Sequence, residues 1–307
     1  MKLSVIVPCF NEEAVLPLLR ARLVAACQEA AGDSFEILLV DDGSTDGTRA
    51  LIERYHAEDP RLVGVLLSRN HGHQLALAAG LVFCRGARVL LIDADLQDPP
   101  ELLPQMMARM DQGFDVVYGR RRSRAGETRF KTASAALFYR LLQGSSRVDM
   151  TPDAGDFRLL SRRVVDIVVA MPEEHRYLRG MIAWVGFAQS PLDYDRAPRL
   201  AGETKYPLRK MMRLAADAMM GYSTLPLRLA SYAGFAFAGV GLLLLIYVLV
   251  SWASGAVVAG WTSLMATVLI IGSVQLFVIG ILGEYIGRIY LQSKARPLFI
   301  VDKVLRD

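Results

Sequence analysis

Cysteine and histidine are scarce in this chain of 307 residues, and their positions exclude two common kinds of site. The three cysteines, Cys9, Cys27 and Cys84, are odd in number and unevenly spaced, so they predict neither a disulfide framework nor a structural zinc site. Two of the four histidines form the stretch His71-Gly-His73, which we interpret as a polar loop because no second ligand pair accompanies it. This composition fits a reducing compartment.

The common glycine-rich phosphate-binding motifs are also missing. Neither GxGxxG nor GxxxxGKS/T occurs, which excludes the usual glycine cradles for dinucleotides and nucleoside triphosphates. The net charge is only +4, so the composition does not indicate nucleic-acid binding. Basic residues cluster instead in RRRSR (120–124), which is either a solvated loop or a contact for an anionic headgroup or phosphate.

Charge is absent from two long apolar stretches, residues 230–250 and 264–283. As helices, each would cover the roughly 30 Å hydrocarbon layer of a bilayer, whereas a buried core helix is the alternative. Basic residues lie on the outer side of both stretches, so the positive-inside rule predicts that both termini are cytoplasmic. They are Arg209, Lys210, Arg213 and Arg228 before the first stretch, and Arg288, Lys294, Arg296 and Lys303 after the second. The N-terminus enters a strand after one lysine, so we expect no cleaved leader.

Short apolar runs alternate with helical stretches through the first part of the chain. The runs predict strands at 3–8, 35–40, 61–67, 87–92 and 114–119, with another at 156–161. Helices are predicted from Glu12 to about Ala30, from an Asp46 cap to His56, over 72–84, after Pro100, and up to Ala170. Near-continuous Val, Ile and Leu strands separated by single helices predict an α/β fold with a mostly parallel sheet covered on both faces. Residues 207–222 read as an amphipathic helix at a membrane interface.

Acidic residues concentrate where these strands end, which is the edge at which parallel sheets bind ligands. Glu12 follows the first strand, Asp41-Asp42 the second and Asp93-Ala-Asp95 the fourth. On extended backbone Asp93 and Asp95 would alternate, and Gln97 adds a neutral oxygen two residues later. Carboxylate and amide oxygens form a hard, incomplete ligand set that suits Mg²⁺ or Mn²⁺. A solvated turn is the alternative, because isolated DxD sequences are common in loops.

Four motifs at these strand ends resemble the family 2 glycosyltransferases of the GT-A fold. They are VPCFNEE (7–13), VDDGSTDGT (40–48), RNHGHQLALAAG (69–80) and LIDADLQDPPE (91–101). Further motifs resemble the polyprenyl-phosphate glycosyltransferases, namely GRRRSRAGE (119–127), DFRLLSR (156–162), RLAGETKY (199–206) and ILGEYIGRIY (281–290). The resemblance implies a cytoplasmic, Rossmann-like GT-A domain at 1–206 and an interfacial segment at 207–228. Two transmembrane helices within 229–288 and a cytoplasmic tail at 289–307 would follow.

The resemblance also implies site residues, carried over position by position. Those implied to bind the nucleotide sugar are Pro8, Phe10, Glu12, Val40, Asp41, Asp42 and Asp93. Those implied to hold Mg²⁺ or Mn²⁺ are Asp93, Asp95 and Gln97. Those implied to face phosphates or the acceptor are Arg121, Arg129, Lys131, Arg199 and Lys205. The implied catalytic group consists of Asp95, Arg121 and Asp156, with Asp156 acting either as a base or as an orienting residue.

Ordinary structural roles compete with some of these assignments. Arg158 is interpreted as an ion-pair partner of Asp156, and Glu284 as either snorkelling or pairing with Arg288. The segment Asp41–Asp46 reads equally well as a turn followed by a helix cap, because Asp, Gly, Ser and Thr favour both.

The function implied by the resemblance is inverting transfer of a sugar from a nucleotide sugar such as UDP-glucose to undecaprenyl or another polyprenyl phosphate. The reaction would take place at the cytoplasmic face of a bacterial inner membrane and supply O-antigen or lipopolysaccharide modification. The implied partners are the bilayer, further copies of the chain (a tetramer, for example) and a separate flippase.

Two alternatives stay open. Processive polysaccharide synthases of the same superfamily resemble one another in a QxxRW-type motif and additional spans, neither of which occurs here. A membrane-anchored nucleotide-sugar sensor would be expected to lack metal ligands, and Asp93, Asp95 and Gln97 are all present.

Overall fold

A computed structural model of the chain describes residues 1–121, 154–174, 176–195, 225–254 and 260–306. These residues form two compact units. The first contains the described residues up to 195 together with 297–306, and the second contains 225–254 and 260–296. The first unit therefore takes residues from both ends of the chain.

One eight-stranded sheet organises the first unit. The strands are β1 Leu3–Cys9, β2 Phe35–Asp41, β3 Leu62–Leu67, β4 Arg88–Leu91, β5 Val116–Arg121, β6 Ala154–Ser161, β7 Gln189–Tyr194 and β8 Val301–Leu305. The helices are α1 Leu16–Ala31, α2 Thr48–Glu58, α3 His73–Phe83, α4 Leu103–Asp111, α5 Arg162–Ala170 and α6 Leu178–Trp184, with a 3₁₀ turn at Pro100–Leu102. The six predicted strands are confirmed to within two residues at each end.

The strand order β7-β5-β6-β4-β1-β2-β3-β8 confirms a mostly parallel sheet. β1 pairs in parallel with β2 and β4, and β2 pairs in parallel with β3. β6 runs antiparallel between β4 and β5, a position that the alternation of strands and helices did not predict. Because β6 is antiparallel to both neighbours, β4 and β5 still point the same way. Their carboxyl ends therefore reach the same edge of the sheet.

Apolar side chains cover both faces of the sheet, as the continuous Val, Ile and Leu strands predict. Leu3, Val5 and Val7 of β1 belong to the cluster formed with α1, α2 and α4. Ile6 belongs to the cluster on the other face, formed with α3, α5 and α6. At Gly80 of α3 an added Cβ would lie 2.2 Å from the Ile6 Cγ2 atom, so this helix packs closely on the sheet.

The loops after β1 and β2 are joined by hydrogen bonds, and the two helices that follow them begin later than the sequence predicted. The Glu12 amide donates to Thr48 Oγ1 at 2.8 Å, and α1 begins at Leu16 rather than at Glu12. The predicted Asp46 cap is wrong because Gly47 occupies the position before α2. The Asp46 carboxylate instead accepts hydrogen bonds from the amides of Thr48 at 3.0 Å and Glu13 at 3.3 Å.

The C-terminal segment contributes β8, which pairs antiparallel with β3 at one edge of the sheet. No strand was predicted there, because VDKVL has two charges in five residues. Arg306, after this strand, donates to Glu36 Oε2 at 2.8 Å. Glu36 is buried near the amino end of β2, so the last residues of the described chain neutralise a charge inside the first unit.

The second unit consists of two long helices that pack on each other, α7 Leu225–Ala253 and α8 Trp261–Ser293. Leu229–Ser251 and Ile270–Ser293 are apolar and long enough to cross a membrane by length and composition. The predicted fold, an α/β domain followed by a helical hairpin, is thereby confirmed. Glu284 and Arg288 form an ion pair one turn apart, with Nη2 and Oε1 separated by 3.1 Å. Most of the predicted interfacial segment, 207–224, lies outside the described residues.

Candidate active site

One edge of the sheet collects the carboxyl ends of β1, β2, β4, β5 and β7 together with the amino end of β6. This follows from the strand pairing, because β6 alone among these strands is antiparallel to its neighbours. The acidic segments after β1, β2 and β4 therefore lie along the same edge, as expected for a parallel sheet. Asp156 joins them, because it lies near the amino end of β6.

The segment after β4, residues 92–98, forms a turn rather than the extended backbone expected from the sequence, and we call it the acidic loop. The strand ends at Leu91, and Leu96 has a φ of 56°, in the left-handed region that a bulky side chain rarely adopts. Ala94, Leu96 and Asp98 are buried, whereas the residues between them are half-buried. The loop thus inserts every second residue into the unit and leaves Asp93, Asp95 and Gln97 accessible.

Asp93 carries an oxygen that is buried but not satisfied. Its Oδ1 atom accepts no hydrogen bond from any residue in the described part of the chain. The His73 Nε2 atom lies 3.4 Å from this oxygen. Burial raises the pKa of Asp93 to about 6, and the charges of Asp156, Asp98 and Asp95 add to this shift while His73 opposes it. A bound cation would offset both the cost of burying the Asp93 charge and its repulsion from the neighbouring carboxylates.

Asp156 is, in contrast, fully engaged. It is 5% exposed, and Arg179 of α6 donates to both of its oxygens, from Nε at 2.6 Å and from Nη2 at 2.9 Å. His73 Nε2 lies 3.3 Å and Gln74 Nε2 lies 3.4 Å from its Oδ2 atom. Burial alone would raise the pKa of Asp156, but the hydrogen bonds from Arg179 and His73 outweigh it and hold the pKa well below its usual range. A carboxylate with so low a pKa is a poor proton acceptor.

The expected ion pair between Asp156 and Arg158 is replaced by this pair with Arg179. Arg158 is buried, and its Nε atom donates to the Gly155 carbonyl at 3.0 Å. Its guanidinium also lies 5.8 Å from the centre of the Tyr118 ring. Arg179 was not predicted from the sequence, because nothing in the local pattern of α6 marks it as a site residue.

His73 belongs to the site, so its interpretation as an isolated polar loop residue is wrong. It begins α3, and its Nε2 atom lies within 3.4 Å of both Asp93 and Asp156. Burial lowers the pKa of His73, but the hydrogen bond that its Nε2–H donates to Asp156 and the Asp93 charge raise the pKa above the usual value. A usable signal was present, since RNHGHQ follows a strand that ends at the acidic edge.

The residues predicted for the nucleoside lie at the ends of β1 and β2. Pro8 and Val40 are buried within β1 and β2, near the carboxyl ends of these strands. Phe10 follows β1 and is 45% exposed, so its ring is accessible at this edge. Glu12 is half-buried in the loop that braces α2.

Asp41 and Asp42 are both buried but differ in their partners. Asp42 accepts hydrogen bonds from the amides of His71 at 2.7 Å and Gly72 at 2.9 Å, so it positions the entry to α3. Asp41 Oδ1 accepts from the Ser44 amide at 3.1 Å. Its Oδ2 atom accepts no hydrogen bond within the described ranges, which leaves it available for a donor group on a ligand.

Arg121 ends β5 at the same edge. Its Nε atom lies 3.5 Å from the Tyr194 hydroxyl, which in turn donates to Asp98 of the acidic loop. Four other predicted residues, Arg129, Lys131, Arg199 and Lys205, lie outside the described residues.

The donor atoms at this edge fit a hard divalent cation. Asp93, Asp95 and Gln97 supply oxygens from the accessible side of the acidic loop, and Asp93 Oδ1 is the unsatisfied atom among them. Ligand atoms of His73, Asp93 and Asp156 also lie within 4.8 Å of one another. Asp156 already accepts two hydrogen bonds from Arg179, which leaves it less available than Asp93 to bind an ion.

Comparison with known proteins agrees with this geometry. Residues 4–168, more than half of the chain, match the model of Glycosyl transferase family 2. The chain belongs to glycosyl transferase family 2. Residues 225–289 of this glycosyltransferase match a second model, the GtrB C-terminal hairpin. The family inferred from the strand-end motifs and the hairpin inferred from the two uncharged stretches are therefore confirmed.

Full-length relatives of this family 2 glycosyltransferase include two bacterial and phage proteins. "Uncharacterized glycosyltransferase YkcC" of Bacillus subtilis (strain 168) is 43% identical over 301 residues, which cover 98% of this chain and 93% of that protein. "Bactoprenol glucosyl transferase" of Shigella phage SfV is 38% identical over 302 residues, with 98% of each chain covered. Among solved structures, Mycobacterium tuberculosis glucosyl-3-phosphoglycerate synthase is 22% identical, with 71% of this chain and 78% of that chain covered and a TM-score of 0.48.

Proposed function

We propose that this glycosyltransferase moves a sugar from a nucleotide sugar to a polyprenyl phosphate at the cytoplasmic face of a bacterial inner membrane. The observation that carries the proposal is the combination, in one chain, of an acidic family 2 strand edge and a matched C-terminal hairpin. A relative that is 38% identical over 98% of the chain is named for glucosyl transfer to bactoprenol. We infer a UDP-sugar such as UDP-glucose as the donor.

The donor would bind across the ends of β1, β2 and β4. The exposed ring of Phe10 offers a stacking surface for a base, and Asp41 offers an unsatisfied carboxylate oxygen. Asp93, Asp95 and Gln97 would hold Mg²⁺ or Mn²⁺. When bound, such an ion offsets negative charge on the departing nucleoside diphosphate.

The acceptor needs little help from a base. A phosphate monoester has a second pKa near 6, so it is already ionised at neutral pH. One of its oxygens can attack the anomeric carbon while the bond to the nucleoside diphosphate breaks on the opposite side, which inverts the configuration. The low pKa of Asp156 suits it for orienting the sugar or the incoming phosphate rather than for accepting a proton. Arg121, with Arg199 and Lys205 from outside the described residues, would offset repulsion between the two phosphate-bearing substrates.

The membrane setting follows from the acceptor and from the two apolar helices. We infer that both termini are cytoplasmic, so that the sheet edge works at the inner leaflet where the nucleotide sugar is available. Assembly into a homo-oligomer such as a tetramer, and transfer of the lipid-linked product by a separate flippase, complete the proposal.

A single assay tests this function. Membranes containing the full chain are incubated with undecaprenyl phosphate, a panel of labelled nucleotide sugars, and Mg²⁺, Mn²⁺ or a chelator. We expect label from one donor to enter the lipid fraction in the presence of metal, as a single sugar per lipid. A growing polymer would indicate a processive synthase, and binding of the donor without transfer would indicate a sensor.

Asp95→Asn is the sharpest variant for the same assay. The amide keeps the size of the side chain but removes a charged oxygen from the acidic loop, so we expect transfer to fall about 100-fold, at the upper end of losses typical for metal sites. Asp33→Asn, on a side chain that is 86% exposed, serves as the control. Normal transfer by Asp95→Asn in the presence of metal would remove this residue from the site.

A further inference from the structure

The hydroxyl group of Tyr194 connects β7 with the acidic loop and with Arg121 at the end of β5. Tyr194 ends β7, and its side chain is 4% exposed. The hydroxyl donates a hydrogen bond to Asp98, which is 1% exposed and lies between Gln97 and Pro99 in the acidic loop. Asp98 is buried on the side of the loop opposite to the accessible oxygens of Asp93, Asp95 and Gln97.

The Tyr194 ring has little freedom to move. Phe157 of β6 contacts it edge-on, with ring centres 5.8 Å apart and planes inclined by 72°. Gly119 of β5 lies against both rings, and a Cβ at this position would come within 2.7 Å of each. Three neighbouring strands therefore hold the hydroxyl at one place relative to the sheet.

The same hydroxyl also faces Arg121, whose Nε atom donates to it at 3.5 Å. The hydroxyl thus gives its proton to Asp98 and accepts one from Arg121. Burial raises the pKa of Tyr194 to about 12, with a further contribution from the Asp98 charge, so the hydroxyl keeps its proton at neutral pH. Tyr194 can therefore act as a constant donor to the acidic loop.

We propose that Tyr194 is a positioning residue that sets the acidic loop for a divalent cation and aligns Arg121 beside it; this inference rests on the proposed function. Loss of a hydrogen-bond donor to a buried carboxylate is costly, so the Tyr194 hydroxyl helps to keep Asp98 inside the unit. The left-handed backbone at Leu96 is a local strain that the surroundings must maintain. Without the hydroxyl, the loop would lose the conformation that presents Asp93, Asp95 and Gln97 together.

Binding of Mn²⁺ to the full chain in detergent, measured by electron paramagnetic resonance without turnover, tests this role. Tyr194→Phe keeps the ring and removes only the hydroxyl. We expect its Mn²⁺ dissociation constant to rise about 10-fold, as is typical when a group that orients metal ligands is lost. Tyr55→Phe is the matched control, because Tyr55 is also buried but lies on α2 beneath Arg20 and Arg54. We expect it to bind Mn²⁺ like the wild type.

A double-variant cycle separates positioning from general destabilisation. If the hydroxyl acts through Asp98, Tyr194→Phe should change the Mn²⁺ dissociation constant less than about 2-fold in an Asp98→Ala background. The Asp98→Ala background also removes the buried carboxylate that Tyr194→Phe deprives of a donor, so the double variant can be measured even where Tyr194→Phe alone does not accumulate. If Tyr194→Phe alone does not accumulate, the test rests on Asp98→Ala, which must then weaken Mn²⁺ binding. Wild-type Mn²⁺ affinity in Asp98→Ala would overturn the proposal.

Two failures can be told apart. Equal Mn²⁺ affinity in the wild type and Tyr194→Phe, at a temperature where both are folded, would overturn the role of Tyr194 and leave the proposed function intact. Absence of Mn²⁺ binding by the wild type itself would contradict the metal-dependent function and the positioning role together.

Discussion

Asp93 and Asp156 lie at the same strand edge, yet the protein treats their charges in opposite ways. Asp156 is buried with a bidentate arginine and stays ionised. Asp93 is half-buried near three other carboxylates, and its Oδ1 atom is buried without a hydrogen-bond partner in the described residues. Environment rather than residue type would therefore separate the proposed orienting carboxylate, Asp156, from the proposed cation ligand, Asp93. Each assignment can be tested with a single substitution.

Asp93→Asn is expected to stabilise the metal-free protein at neutral pH. The folded-state pKa of about 6 lies above the unfolded value near 4, so the folded state holds a proton that the unfolded state has released. Stability is consequently lost as the pH rises through this window, by a total on the order of 3 kcal/mol. Denaturation of both proteins at about pH 4.5 and about pH 7.5 should show the gap widening at the higher pH.

Added Mn²⁺ should reverse this order, because only the wild type then gains binding energy. Asp33→Asn, an exposed carboxylate, is the control and should show neither effect. A difference in the free energy of unfolding between Asp93→Asn and wild type that stays constant across this pH range would mean that folding does not raise the pKa of Asp93.

Arg179→Gln is expected to reduce both stability and transfer. It leaves the Asp156 carboxylate buried without its bidentate donor, and because Arg179 is itself a third exposed we expect a loss of about 2 kcal/mol, between the values for surface and buried pairs. Transfer should fall because Asp156 loses its orientation. Denaturation midpoints and transfer rates measure the two effects separately.

Arg163→Gln is the matched control for Arg179→Gln. Arg163 makes the same two-bond contact with a buried carboxylate, Asp115, away from the strand edge. The Arg163→Gln variant should therefore lose stability but keep its transfer rate per folded molecule. If Arg179→Gln behaves in the same way, the pair with Asp156 has a structural role alone.

At the level of elements, β8 is the part of the first unit that comes from the far end of the chain. It adds an antiparallel strand beside β3, and Arg306 then reaches Glu36, which also accepts hydrogen bonds from Ser4 Oγ and the Arg85 amide. A buried charge becomes less stable when any one of its donors is removed. The end of the chain therefore contributes to the stability of the catalytic unit.

Arg306→Met is expected to destabilise the first unit by about 3 kcal/mol, because it leaves Glu36 buried and short of its cationic partner. Lys303→Met, on β8, breaks only an exposed pair with Glu53 at 3.6 Å and should lower the free energy of unfolding by less than about 1 kcal/mol. Urea denaturation of both variants gives the comparison. Equal losses would mean that the strand pairing, and not the buried charge, holds β8 in place.

Helix α3 illustrates how an element serves both the core and the site. Ala76, Leu77 and Ala79 pack on the sheet, while His73 and Gln74 in its first turn contact Asp156. Gly80 permits the close packing of this helix on β1. Packing along α3 thus determines where the two polar side chains lie.

For the whole molecule, membrane association depends on the two apolar helices. Leu243 and Phe277, one in each span, are both largely exposed in the structure. A carboxylate near the middle of a span costs about 3 kcal/mol on insertion, so the pair Leu243→Asp and Phe277→Asp should lower the fraction of chain that resists carbonate extraction. Leu18→Asp, on the exposed side of α1, should leave that fraction unchanged. Full retention of the paired variant would argue against both spans.

The parts of this protein that the sequence predicted well depend on local or one-dimensional patterns. Strands and uncharged spans follow from the order of apolar residues, and Asp93, Asp95 and Gln97 follow a predicted strand directly. Arg179 and Tyr194 could not be found in this way, because neither is close in sequence to another residue of the site. His73 was missed although RNHGHQ follows a predicted strand. The cap at Asp46 was predicted wrongly, because contacts with the neighbouring loop outweigh its local preference. Strand β8 was not predicted, because it forms by pairing with the edge strand β3.

By itself the sequence determined that a parallel α/β unit ends its strands in carboxylates and is followed by two apolar helices. Periodicity and composition are sufficient for this, because they decide which residues leave water. Only the tertiary structure decided which carboxylate is ionised, which is strained, and which tyrosine supports the acidic loop. Those properties depend on β6 entering between β4 and β5 and on β7 pairing beside β5, which brings together side chains that are about 100 residues apart along the chain.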